Sequence, residues 1–146
     1  MLRGRHTATV DPKGRLKIPA DFKAELDKQY GPDFYVTSLA GENVRVYPFA
    51  EWRKIEDKLA ALPTMNKSRN KLLDRTNFWG QVARMDAQGR ILIPSHLRES
   101  AGVTGEVAVM GYPDRLDVWS LQRFREHLDE NPITEEDEKT LSDLGI

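Results

Sequence analysis

Two short phrases set the same polar residues at the same spacing. DPKGRLKIP runs from Asp11 to Pro19, and DAQGRILIP runs from Asp86 to Pro94, 75 positions later. Each carries Asp-x-x-Gly-Arg-x-x-x-Pro. A glycine at Gly14 and Gly89 permits a tight turn that other residues resist. A carboxylate three residues earlier accepts backbone N–H bonds in such a turn or pairs with the arginine, so Asp11 and Asp86 read as turn-forming. An arginine fixed in a constrained turn has little freedom left to lose on binding. Its planar fork suits phosphate oxygens and, in a DNA major groove, the O6 and N7 of guanine. Arg15 and Arg90 are therefore candidate contacts for a polyanion, and the alternative for each is an intramolecular clamp onto its aspartate.

The surroundings of the two arginines differ. Arg3, Arg5, Lys13 and Lys17 flank Arg15, whereas the matching positions of the second phrase hold Gly80, Gln88 and Leu92 in place of Arg5, Lys13 and Lys17. The first copy reads as the binding copy, with Arg3, Arg5, Lys13, Arg15 and Lys17 as its DNA-contact candidates. The second reads as the copy that packs, with Arg90 either a second contact or structural.

Charge along the chain agrees with a polyanion partner. The net charge of −1 hides eight acidic residues against one lysine from Glu126 to Ile146, and 21 basic against 15 acidic residues before them. A basic body with an acidic tail fits a polyanion binder whose tail lies away from the bound face. Catalysis has no comparable support. His6, His96 and His127 are far apart, no Gly-rich phosphate loop is present, and with no cysteine there is no thiol chemistry or Cys-ligated metal. No catalytic residue, cofactor or metal site is expected. Tyr47, Trp52, Trp119 and Phe124 repeat at core positions, so single-strand stacking is not the expected use of the aromatic residues.

The elements that must hold these turns are themselves duplicated. ATVDPKGRLKIPADFKAEL (8–26) aligns without a gap with ARMDAQGRILIPSHLRESA (83–101). Further on, FYVTSLAGENVRVYPFAEWRK (34–54) matches EVAVMGYPDRLDVWSLQRFRE (106–126) at an offset of 72, with the lost residues placed between the first helix and the next strand. Each copy predicts a short strand, the Asp-x-x-Gly-Arg turn, and a strand bearing Leu16 and Ile18 or Ile91, Leu92 and Ile93. Pro19 and Pro94 then stand where helices begin, over 20–29 and 95–101. A hairpin turning at Ala40–Gly41 or Tyr112–Asp114 follows, and a second helix closes the copy. In the first copy Trp52, Ile55, Leu59 and Leu62 fall on one helical face. The chain divides into repeat 1 (1–62), a basic connecting helical segment (63–80), repeat 2 (81–130) and an acidic tail (131–146). The tail is expected to be partly disordered or a loosely docked helix. No apolar run approaches a membrane span and no signal peptide is apparent, so the protein reads as cytoplasmic with no membrane partner, and a DNA partner makes it nucleoid-associated.

RGRHTATVDPKGRLKIPADFK and ARMDAQGRILIPSHLRESAGV strongly resemble the two D-x-x-G-R-x-x-x-P signatures of the MraZ family, over about residues 1–130. These are bacterial transcription regulators built from two tandem AbrB-like (SpoVT-AbrB) domains, and the second copy alone also resembles the DNA-binding half of AbrB. The resemblance implies an α+β, mainly β fold: a swapped-hairpin barrel made within one chain as a pseudo-dimer, with flanking helices. It further implies a ring-shaped homo-oligomer that binds repeated short boxes in double-stranded DNA. Those boxes lie upstream of the division and cell-wall gene cluster, including the protein's own gene, and the usual effect is repression. The family's turn arginine maps onto Arg15; at Lys23 the family often has arginine. The alternatives are a scaffold ring without DNA contact and an AbrB-like antitoxin-type regulator.

Overall fold

The computed structural model describes residues 1–146. Repeat 1 begins with β1 (Gly4–Val10), β2 (Arg15–Lys17) and α1 (Ala20–Gln29), continues with the hairpin β3 (Asp33–Thr37) and β4 (Val44–Pro48), and closes with α2 (Phe49–Ala60). A connecting helix α3 (Lys67–Phe78) leads to the second set: β5 (Gln81–Arg84), β6 (Arg90–Leu92), α4 (Ser95–Ala101), β7 (Gly105–Tyr112), β8 (Arg115–Trp119) and α5 (Leu121–Glu130). The acidic tail forms α6 (Glu135–Asp143), entered through a capping box between Thr134 and Asp137. Both expected first helices have the expected bounds, each with its proline at the N-cap and no side-chain cap. No helix is long and apolar enough to cross a membrane.

The eight antiparallel strands form one nearly closed barrel in the order β5-β3-β4-β8-β7-β1-β2-β6. Strands of the two repeats interleave. The β3–β4 hairpin sits between β5 and β8 of the other repeat, and β7 lies between β8 and β1. The pairs β2–β6 and β4–β8 join equivalent strands, so they straddle an internal twofold relation. Neither repeat can bury its apolar residues alone. Leu16, Ile18, Phe22, Phe34, Val36 and Val46 share one core cluster with Ile91, Ile93, Leu97, Val107, Val109 and Val118. This is the swapped-hairpin pseudo-dimer that the resemblance implied.

Three sequence expectations need correction. Val36 pairs with Val46 while Val109 pairs with Val118, so β3 and β7 correspond at an offset of 73, not 72. The repeat therefore loses two residues before the hairpin and one within it. A one-residue slip turns every side chain to the other face of a strand, and only the corrected register makes the core residues Phe34 and Val36 equivalent to the core residues Val107 and Val109. Leu92 is 45% exposed, since β6 alternates and its neighbours Ile91 and Ile93 point inward. Leu62 lies beyond the end of α2 and is exposed, leaving Trp52 and Leu59 as the buried residues of that helix.

Candidate nucleic-acid interface

The two Asp-x-x-Gly-Arg turns have the same internal construction. Gly14 donates its N–H to the Asp11 carbonyl at 2.9 Å, and Asp11 donates to the Arg15 carbonyl at 3.0 Å. Oδ1 of Asp11 accepts the backbone N–H groups of Lys13 and Arg15 at 3.0 and 2.9 Å, while Oδ2 accepts Arg15 Nε at 2.8 Å. Asp86 repeats every contact: Oδ1 takes Gln88 N–H and Arg90 N–H, each at 2.9 Å, and Oδ2 takes Arg90 Nε at 2.8 Å. Gly14 and Gly89 have φ of +88° and +76°, values that favour glycine. The backbone N–H of Arg15, and then its side chain, hold the Asp11 carboxyl below its ordinary range, and Arg90 does the same for Asp86.

The sequence left the aspartate clamp and the ligand contact as alternatives for each arginine. The geometry makes them compatible. The clamp uses only Nε; no terminal nitrogen of Arg15 or Arg90 has a hydrogen-bond partner, and both side chains are partly exposed. The carboxylate thus fixes the guanidinium plane while the outer edge, made of the two terminal nitrogens, has no hydrogen-bond partner on a partly exposed side chain. That edge is the part of arginine that recognises a phosphate or a guanine bidentately.

Strand exchange sets the turns against each other. In the β2–β6 ladder Arg15 lies opposite Leu92 and Lys17 opposite Arg90. Gly89 C=O accepts Ile18 N–H, and Gly14 C=O accepts Ile93 N–H, each at 2.9 Å. Helix side chains cross over as well. The Arg98 guanidinium from α4 lies against Gly14, leaving no room for a Cβ, and the Lys23 side chain from α1 lies against Gly89. Lys17 Nζ donates to the Gln88 carbonyl of the second turn. The second turn is poor in cations along the sequence, yet repeat 1 supplies Lys17 and Lys23 to it. Arg98 was not among the candidates. Its signal in the sequence was a basic residue nine positions after the turn glycine in both copies, Lys23 and Arg98.

Lys13, Arg15 and Lys17 therefore sit with Arg90, Lys23 and Arg98 in one double turn. Arg3 and Arg5 do not. They lie at the other end of β1, where Gly4 pairs with Gly111 and Arg5 with Met110. Six residues of extended strand from Arg5 to Asp11 span about 20 Å. Both are exposed, as are Lys13 and Lys17.

A turn built twice within one interleaved barrel can be set against known proteins. The family described as "MraZ protein, putative antitoxin-like" matches residues 1–75 and 81–144. The chain belongs to the MraZ family. Its relatives include the transcriptional regulator MraZ of Acidobacterium capsulatum, 50% identical over 146 residues, and that of Koribacter versatilis, 53% identical over 147 residues, with each chain covered completely in both comparisons. The MraZ of Halothermothrix orenii is 38% identical over 148 residues, again covering both chains completely. The match in two segments corresponds to the internal duplication, and the Asp-x-x-Gly-Arg turns lie one in each segment.

Proposed function

We propose that this chain is a transcriptional regulator that reads double-stranded DNA with its double turn. The observation that carries the reading is the pair of oriented guanidinium edges at Arg15 and Arg90, each clamped by an aspartate through Nε alone. Arg15 reads a base or anchors on a phosphate, with Lys13 and Lys17 neutralising phosphates beside it. Arg3 and Arg5 serve phosphates farther along, since about 20 Å along a duplex is roughly six base pairs at 3.4 Å each. Arg90, in the less basic phrase, is the weaker contact. Gly14 and Gly89 permit the turns, and Asp11 and Asp86 orient them.

Copies of the chain assemble into a ring, which presents identical double turns at regular intervals to tandem boxes. Each contact can then be weak, because linkage raises the effective concentration of the next. The targets are boxes upstream of the division and cell-wall gene cluster, including the gene for this protein, and the effect is repression. Work at the DNA places the protein in the cytoplasm at the nucleoid. The test is fluorescence-anisotropy binding to the duplex upstream of its own gene, against a shuffled duplex, over a range of salt. Affinity for the upstream duplex falls steeply as salt rises and exceeds that for the shuffled one. Salt-independent or absent binding would leave a scaffold ring without DNA contact as the better reading.

A further inference from the structure

The two repeats keep the same order of elements into the helices that follow them, and there the two halves differ sharply in charge. In repeat 1, α2 is followed by α3, entered when Asn66 accepts Arg69 N–H; in repeat 2, α5 is followed by α6, entered when Thr134 accepts Asp137 N–H. Thus α3 and α6 hold corresponding places in the chain order. Helix α3 carries Lys67, Arg69, Lys71 and Arg75 against Asp74, while α6 carries Glu135, Glu136, Asp137, Glu138 and Asp143 against Lys139. Lys67, Lys71 and Arg75 recur at helical spacing along one exposed ridge and have no ion-pair partner. Glu135 and Glu138 also lack one, and no residue of α6 is buried.

Helix α3 also exposes an apolar side chain. Phe78, at the end of the α3 ridge, is 66% exposed and borders a recess of about 420 Å³ lined by Asp74, Arg75, Phe78 and Trp79.

We infer that α6 of one chain docks on α3 of a second copy, with Glu135 and Glu138 facing the Lys67–Lys71–Arg75 ridge. The inference rests on the self-association proposed above and assigns its contact. Charge selects this pairing over the symmetric ones. Setting α3 on α3 or α6 on α6 would bring four cations or five anions against their own kind, whereas α6 on α3 joins opposite fields. A contact between two different surfaces is head-to-tail, so it propagates from chain to chain and closes into a ring when the rotation allows. Exposed ion pairs are individually weak, so several must act together, and they set the partner and register.

Two charge-reversed proteins test this contact, Lys67→Glu with Lys71→Glu and Glu135→Lys with Glu138→Lys, with mass read by light scattering at about 0.1 M salt, where screening is incomplete. All four side chains are exposed, and circular dichroism checks that both variants fold. Each variant alone assembles at least roughly tenfold more weakly than the wild type. An equimolar mixture recovers the wild-type mass, because the unchanged α6 of the first meets the unchanged α3 of the second, and the reversed positions on α6 of the second meet the reversed positions on α3 of the first. A wild-type oligomer that persists in each variant alone, or two folded variants that fail to assemble on mixing, overturns this contact and leaves self-association standing. A wild type that stays monomeric at all concentrations overturns both.

Discussion

Replacing Gly14 by alanine tests the crosswise packing of the two turns. Gly14 sits at φ +88°, where a side chain costs about 1–2 kcal/mol. The added Cβ would also fall 2.4 to 2.7 Å from Cζ, Nε and Nη2 of Arg98. Arg98 must then move, giving up the bond from its Nε to the Ile93 carbonyl at 3.0 Å. Losing a hydrogen bond of this kind adds about 1–2 kcal/mol. The expected cost of Gly14→Ala is therefore roughly 2–4 kcal/mol in urea unfolding. Gly89→Ala should cost only the backbone part, about 1–2 kcal/mol, because the Lys23 chain it meets at 3.0 to 3.1 Å is flexible and can swing aside. Gly31, with nothing within 4 Å of a built Cβ and no positive φ, serves as the reference, and its alanine variant should be near neutral. With Arg98→Ala as the second arm of a cycle, the double variant should cost about 1 kcal/mol less than the sum of the singles. Additive losses, or a Gly14→Ala cost equal to that of Gly31→Ala, would refute the packing of Arg98 on the first turn.

Other outcomes follow from the same geometry. Asp117 is buried on the barrel wall and accepts Arg115 Nε at 2.8 Å, while Nε of Arg45 nearby is buried without a partner. Asp117→Ala strands the Arg115 cation and should cost about 3–5 kcal/mol, lowering the melting temperature by roughly 10 °C in calorimetry. The Asp11 and Asp86 carboxyls are held below the ordinary 3.8 in the folded protein. Their stabilising contribution is then present above the unfolded value and lost as pH falls through the lower folded value. Carbon-detected NMR titration should place both midpoints below 3.8, and stability between about pH 5 and 8 should not respond to them. A midpoint at or above the ordinary value for either would contradict the clamp.

Much of the fold was legible because the duplication is written in polar residues. Asp, Gly, Arg and Pro at fixed spacing specify a turn, a strand and a helix start, and both first helices appear with the expected bounds. Periodicity alone could not say which strands pair, since an apolar alternation fits any neighbour of the right length; the family resemblance supplied the interleaving. The hairpin register was misread by one residue because Val46 and Val118 align well at 72, while the single-residue difference lies in the turn before them. At the site, sequence neighbourhood was an incomplete guide to spatial neighbourhood. Lys17 and Lys23 serve the second turn although they lie far from it along the chain, and Arg98 serves the first. Arg3 and Arg5 are near Arg15 in number, yet an extended strand carries them to the other end of β1.

The double turn as a DNA-reading face is tested most directly by comparing Arg15→Ala with Arg90→Ala on the duplex upstream of the gene for this protein. Both variants remove a guanidinium with the same clamp and similar exposure, so differences in affinity report their roles at the DNA. Arg15→Ala is expected to weaken specific binding roughly 10- to 100-fold, in line with about 1–3 kcal/mol for a bidentate contact, and more than Arg90→Ala does. Equal losses, or no loss at Arg15, would contradict that assignment.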